Sequence, residues 1–181
     1  MNYKTASFFI LLLCSGCQSA PEQMQKNDLT YFDLKGFFEK ESARLSKTSP
    51  FITKTVRVND FSETKRIRIT DWNKELEIFK DADINKNSWK GLFKITKLSD
   101  KEQYTTDSKK VPVKVLTVSY KKGSTQVNEL SCLQIVVKNT NLLYNSTDTL
   151  IYYPDSLYEV KKTQNILLLS SKLYQISGKF P

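Results

Sequence analysis

The chain contains four arginines, Arg44, Arg57, Arg66 and Arg68, and all of them precede residue 69. Three of them fall in two short alternating runs, Ile52-Thr53-Lys54-Thr55-Val56-Arg57-Val58 and Lys65-Arg66-Ile67-Arg68-Ile69. In extended chain, successive side chains point to opposite faces. Val56, Val58, Ile67 and Ile69 would then share one face of a hairpin, and Arg57, Arg66 and Arg68 the other. Three guanidinium groups on one face can grip a phosphate or carboxylate through paired hydrogen bonds. Arg57, Arg66 and Arg68 are therefore the candidate ligand-binding residues. The plainer reading is a solvated face balanced by Asp60 and Glu63.

Other chemistry is mostly excluded by composition. There is no histidine, hence no Ser-His-Asp or Cys-His site, no histidine-ligated zinc and no imidazole base. Five glycines form neither a dinucleotide fingerprint nor a P-loop. Glu39 and Glu41 are two apart on an expected helix and do not face each other. Ser and Lys are plentiful, but no recognisable Ser-Lys catalytic arrangement stands out. A hydrolase working without histidine is the least favoured reading, and no catalytic residue, metal ligand or cofactor is assigned. Asp81-Ala82-Asp83-Ile84-Asn85-Lys86-Asn87 opens like a calcium loop, but Lys86 and Leu92 stand where the loop needs Gly and Glu. The net charge of +9 is spread over both halves. Nucleic-acid binding would need a concentrated basic patch, so no nucleic-acid partner is expected.

The N-terminus carries an address. Lys4 precedes the apolar run Phe8 to Leu13, which is too short to span a bilayer, since that needs ~20 apolar residues. This is the pattern of a secretory signal peptide. It ends in Leu13-Cys14-Ser15-Gly16-Cys17, which resembles a lipobox, with Ser15 and Gly16 at the two small positions and Cys14 where Leu is usual. The resemblance implies cleavage after residue 16 and lipidation of Cys17, here with palmitate among the acyl chains. Residues 17–28 would be the lipidated Cys and a flexible tether. That leaves Cys132, in an apolar strand, as a buried inert thiol without a disulfide partner.

Periodicity supplies the elements that position these residues. Residues 30–46 read as an amphipathic helix, despite Gly36, with Leu29, Phe32, Phe37 or Phe38 and Leu45 on one face. A β-hairpin follows, with a longer loop over 59–64. Residues 70–79 read as one capped helix with Trp72, Leu76 and Phe79 on a face. Strands are expected near 91–98, 102–106, 111–120, 127–138, 142–153, 156–162, 165–170 and 173–179. The order predicts a single α+β domain over 29–181: a curved, mainly antiparallel β-meander with two helices from the N-terminal half packed on one side. Val113 and Val115 against Leu116 and Val118 make one run apolar on both faces. That implies either a sheet curling over a small cavity or a bulge that switches the faces.

Two further motifs complete the reading. Asp148-Thr149-Leu150 and Asp155-Ser156-Leu157 resemble the three-residue O-glycosylation site of exported Bacteroidota proteins, which makes Thr149 and Ser156 candidate acceptors. The segments 33–45, 54–60, 71–91 and 174–180 resemble small outer-membrane lipoproteins of Bacteroidota of unassigned function. The expected architecture is similar to the lipoprotein-carrier fold of the Lol system, an analogy of fold alone. These resemblances imply an outer-membrane lipoprotein with its body in the periplasm, or alternatively at the cell surface. Its partners would be the membrane, through the lipid anchor, and an envelope protein, lipid or glycolipid. The expected function is a non-enzymatic binding or accessory module, holding either an apolar chain in a sheet cavity or an anionic ligand at the arginines.

Overall fold

A computed structural model describes residues 29–124 and 126–181. The expected signal peptide (1–16), Cys17 and the tether lie outside the described residues. The first helix, α1, is Leu34–Thr48. Its start is set by Asp33, whose carboxylate accepts from the Gly36 amide at 2.9 Å, satisfying one of the free N–H groups of the first turn. A Cβ at position 36 would collide with that carboxylate, so the glycine lets the cap close. Ser49 adopts a left-handed conformation and its N–H returns to the Leu45 carbonyl, and Pro50 then prevents continuation. Leu34, Phe38, Glu41, Ser42 and Leu45 form the buried stripe. Leu29, expected on that stripe, is 47% exposed, because the helix begins after it.

Strands β1 (Phe51–Val58) and β2 (Phe61–Arg68) form the hairpin. Its turn is only Asn59-Asp60, shorter than the expected loop. Asn59 takes φ 52°, a left-handed conformation that asparagine tolerates and two-residue hairpins require. The single helix expected at 70–79 is two short ones, α2 (Trp72–Glu75) and α3 (Glu77–Asp81), broken at Leu76. Asp71 caps the first by accepting from the Lys74 amide at 3.0 Å. Trp72, Leu76 and Phe79 are all fully buried, as their spacing predicts.

The remaining strands are β3 (Lys94–Lys97), β4 (Lys101–Thr105), β5 (Val113–Tyr120), β6 (Leu130–Thr140), β7 (Tyr144–Tyr153), β8 (Leu157–Ile166) and β9 (Lys172–Lys179). Of the two strands expected at 156–162 and 165–170, the first extends unbroken against β7 to Ile166 as β8, and the second is mostly the β8–β9 turn, since 167–171 are not strand. All nine belong to one open antiparallel sheet, ordered β2-β1-β9-β8-β7-β6-β5-β4-β3. From β3 to β9 the path is a meander. The N-terminal hairpin then docks on the C-terminal strand, with Thr53 opposite Lys179 and Val58 opposite Tyr174.

Register assigns the faces. Ile52, Lys54, Val56, Tyr158, Val160, Leu150, Tyr152, Leu133, Ile135, Leu116 and Val118 share one side. A bulge between Val113 and Val115 puts Val113 on that side too, which accounts for the run that looked apolar on both faces. The core lies on this side. Phe38 of α1 packs against Phe79 and Tyr152, with ring centroids 4.8 and 5.1 Å apart. Trp72 of α2 stacks on Phe180 at 5.8 Å and meets Tyr158 edge-on at 6.3 Å. We call it the inner side; Arg57, Arg66 and Arg68 belong to the outer side.

Candidate functional site

A cleft of about 640 Å³ opens on the inner side, where α2 and α3 stop short of covering the sheet. Its floor comes from inner-side strand positions, Ile67 of β2 and the directly paired Val160 of β8 and Ile176 of β9, with Ile78 of α3 as a wall. Ile78 and Asp81 also line a second lobe of about 140 Å³, whose walls include Ala82, Trp89, Val113, Val137 and Leu150. The two lobes thus flank α3 and follow neighbouring rows of the sheet from β2 to β5. Six inter-strand steps of ~4.8 Å make that path roughly 29 Å long.

Each lobe has a polar end. In the larger one, Lys54 of β1 donates to both oxygens of Glu75 at 2.6 and 2.7 Å, and the Tyr158 hydroxyl donates to Oε1 at 2.5 Å. The Lys54 and Glu75 side chains are mostly withdrawn from water, so the pair is held by charge-assisted bonds in a poor solvent. Burial, then the bond to Glu75, pushes the Tyr158 hydroxyl well above the ordinary phenol range. Glu75 accepts three hydrogen bonds and is occupied as a brace between α2 and the sheet. It is not a free base.

The smaller lobe differs. Asp148 of β7 is 8% exposed. One of its oxygens lies 3.4 Å from Lys162 Nζ. The other, Oδ1, is buried without a partner, as is the neighbouring Ser146 Oγ. A buried acceptor left open in this way is costly. Buried acceptors of this kind are ordinarily met by a protein, water or ligand donor.

A second polar network lies beside the first on the inner side, on Tyr152, which is directly opposite Tyr158. Glu41 of α1 accepts from the Tyr152 hydroxyl and from Arg44 Nε at 2.9 Å. Arg44 Nη2 reaches Glu41 at 2.5 Å and Asp155 at 2.6 Å. Tyr152 is pushed above the phenol range by burial and then by the Glu41 charge. This network ties α1 to the turn between β7 and β8.

The residues singled out from sequence are placed as follows. Arg57, Arg66 and Arg68 do share a face, but the structure brings only two of them together. Arg66 and Arg68 lie over the Phe51 ring at 5.0 and 4.1 Å, whereas Arg57 is opposite Ser62, four rows from the Thr53–Arg66 pair. Four rows are ~13 Å. Thr149 is half-buried on the outer side in mid-strand, between Val136 and Lys161. Its flanking residues Asp148 and Leu150 are buried on the inner side, beyond the reach of a modifying enzyme in the folded chain. Ser156 is exposed in the β7–β8 turn. Cys132 is half-buried on the outer side rather than in the core, and burial pushes its thiol up, the direction of low reactivity. Asn85 of the calcium-like segment pins the chain start, accepting from the Tyr31 amide at 3.0 Å and donating to the Phe32 carbonyl at 2.9 Å. Among the described residues, no group of three or more acidic, Cys or His side chains could hold a metal ion, and no helix is long and apolar enough to cross a membrane.

The cleft residues Lys54, Glu75, Asp148 and Tyr158 were not singled out from the sequence. A signal existed for two of them. Lys54 interrupts the apolar phase of Ile52, Val56 and Val58, and Asp148 interrupts that of Leu150 and Tyr152. A charge on the buried phase of a strand must find a partner or a ligand. Compared with known protein families, with curated proteins and with solved structures, the chain matches none of them.

Proposed function

We propose that this protein is a non-enzymatic binding module of the cell envelope, anchored by lipid on Cys17 at the outer membrane, and that its ligand occupies the inner-side cleft. The ligand is an amphiphile, with an apolar body along Ile67, Ile176, Val160 and Ile78 and a hydrogen-bond-donating head at Asp148. The observation that carries the reading is the unpartnered Asp148 Oδ1 in a mainly apolar lobe, whose other charged lining residues are Asp81 and Lys86. Apolar walls with a few placed polar groups are the usual make-up of a small-molecule site, and the larger lobe has the usual size. Absence of histidine and the occupied state of Glu75 support binding over catalysis.

The test uses a fluorescent long-chain alkylamine and the matching fatty acid. Saturable binding with preference for the amine is expected. Ile78→Asp places a charge at a position already 38% exposed and should weaken binding roughly tenfold or more. Asp148→Asn should abolish the preference for the amine while the apolar body still binds. Absence of saturable binding, or an unchanged affinity in Ile78→Asp, refutes the cleft. The anchor is tested separately: mass spectrometry of the mature N-terminus should find acyl chains on Cys17, and an unmodified Cys17 would refute that part alone.

An anionic ligand at the arginines is the second reading. Arg66 and Arg68 over Phe51 support it, with two guanidinium groups rather than three.

A further inference from the structure

Six large apolar side chains stand in water at one end of the sheet. Leu142 and Leu143 occupy the β6–β7 turn and are 97% and 68% exposed; Leu167, Leu168 and Leu169 occupy the β8–β9 turn at 63%, 96% and 62%. The two turns are joined by a hydrogen bond from the Leu167 amide to the Leu143 carbonyl at 2.8 Å. The β1–β2 turn lies at the same end, because Asn59 exchanges bonds with Leu173 at 2.8 and 3.0 Å. It adds Phe61, 84% exposed. Single exposed apolar residues are ordinary, but a contiguous group of this kind marks an interaction surface.

We propose that this end of the sheet inserts its hairpin tips into a lipid bilayer. The leucines sit on projecting turns around a shallow recess of about 320 Å³, and Leu142 and Leu168 point almost wholly into water, an arrangement suited to entering acyl chains. The charge agrees. Around the two leucine turns no Asp or Glu occurs, from Leu130 to Thr147 or after Glu159, while Lys138 and Lys172 stand exposed behind the tips; Asp60, beside Phe61, is the acidic residue of the third turn. An apolar tip backed by lysines matches the order of acyl chains and anionic headgroups. The backbone supplies an independent observation. Leu168 has φ 65°, a left-handed conformation that strains a residue bearing a Cβ and that glycine or asparagine would take freely. A leucine at the outermost, strained position fits a tip whose apolar character matters more than local comfort. Val56 and Val58, each 40% exposed on the inner side, lead from the cleft toward Phe61.

The proposal does not depend on the Cys17 anchor, and its test separates the two. Leu168→Trp in the full chain places an indole at the tip, while Trp72 and Trp89 are buried and change little. With vesicles of phosphatidylethanolamine and phosphatidylglycerol, the introduced indole should shift to the blue, lose most of its acrylamide quenching and be quenched by brominated acyl chains. Adding Leu142→Ser and Leu143→Ser, both at exposed sites, should reduce the brominated-lipid quenching roughly tenfold or more. If the chain sediments with vesicles yet the indole stays open to acrylamide, the tip proposal fails and the anchor stands. If the indole is shielded without vesicles, in step with protein concentration, the tips join copies of this chain and the proposal also fails.

Discussion

Gly178 and Tyr158 are directly paired across β8 and β9, and the ring lies over the bare backbone. A Cβ built at position 178 would fall 2.5 Å from the phenol oxygen and closer still to the ring carbons. Tyr158 is 1% exposed and held between Trp72, Phe180 and Glu75, so it has nowhere to move. Gly178→Ala should therefore cost ~1–3 kcal/mol in overpacking. Moving the ring also breaks its bond to the Glu75 carboxylate, worth ~1.5–3 kcal/mol. Against this, alanine restricts the unfolded chain and returns ~0.4–1 kcal/mol, since Gly178 is not among the residues at positive φ. The net expectation is a loss of about 2–4 kcal/mol, read from the midpoint of urea unfolding, where it should appear as a shift of roughly 1–2 M. In a Tyr158→Val background the same Gly178→Ala change should be neutral or slightly stabilising. A Gly178→Ala protein within about 0.5 kcal/mol of the parent, or an equal loss in both backgrounds, would refute the claim that this contact locates Tyr158 and, through Glu75, the cleft wall.

Three other outcomes are expected. Glu41→Gln should cost about 1–3 kcal/mol in thermal unfolding, because Tyr152 and Arg44 lose a charged acceptor; Arg44 is partly exposed and keeps Asp155, which limits the loss. Leu168→Asn should stabilise the isolated protein by ~1 kcal/mol by relieving the left-handed strain, while lowering the bilayer signal described above. Alkaline titration followed by phenolate absorbance should show Tyr104, Tyr120, Tyr152 and Tyr158 ionising late, each raised chiefly by burial, with Tyr120 at about 12. For these groups the folded state holds its protons longer than the unfolded one. Their contribution is complete below the ordinary phenol value of 10.0 and falls as pH rises from there through about 12. A titration in which all tyrosines ionise together near 10 before unfolding would contradict the burial.

How much of this was legible beforehand depends on the range of the interaction. Local rules carried most elements. Asp71 starts a helix through its own side chain and the alternating hairpin declared itself, whereas the first helix starts behind Asp33, four residues later than its periodicity suggested. The break at Leu76 was invisible, because Trp72, Leu76 and Phe79 keep one face in either form. The bulge before Val115 was one of two readings of the same residues, and only pairing with β6 decided it. The cleft was least legible. Its polar partners are 21 residues apart for Lys54–Glu75 and 83 for Glu75–Tyr158, and nothing in either local pattern names the other.

The sequence by itself determined what this chain lacks and how its segments alternate: no histidine chemistry, the α+β class, charged residues intruding on buried phases, and the lipobox-like start that lies outside the described residues. Tertiary structure alone decided which intruding charges meet. Docking of the first hairpin on the last strand brings Lys54 beside Tyr158, whereas the hairpin's own register holds Arg57 four rows from Arg66. The same packing groups the leucines of two separate turns at one end of the sheet. Such pairings are set by strand register and layer packing, which are long-range properties of the whole sheet, whereas caps, turns and periodicity act within a few residues.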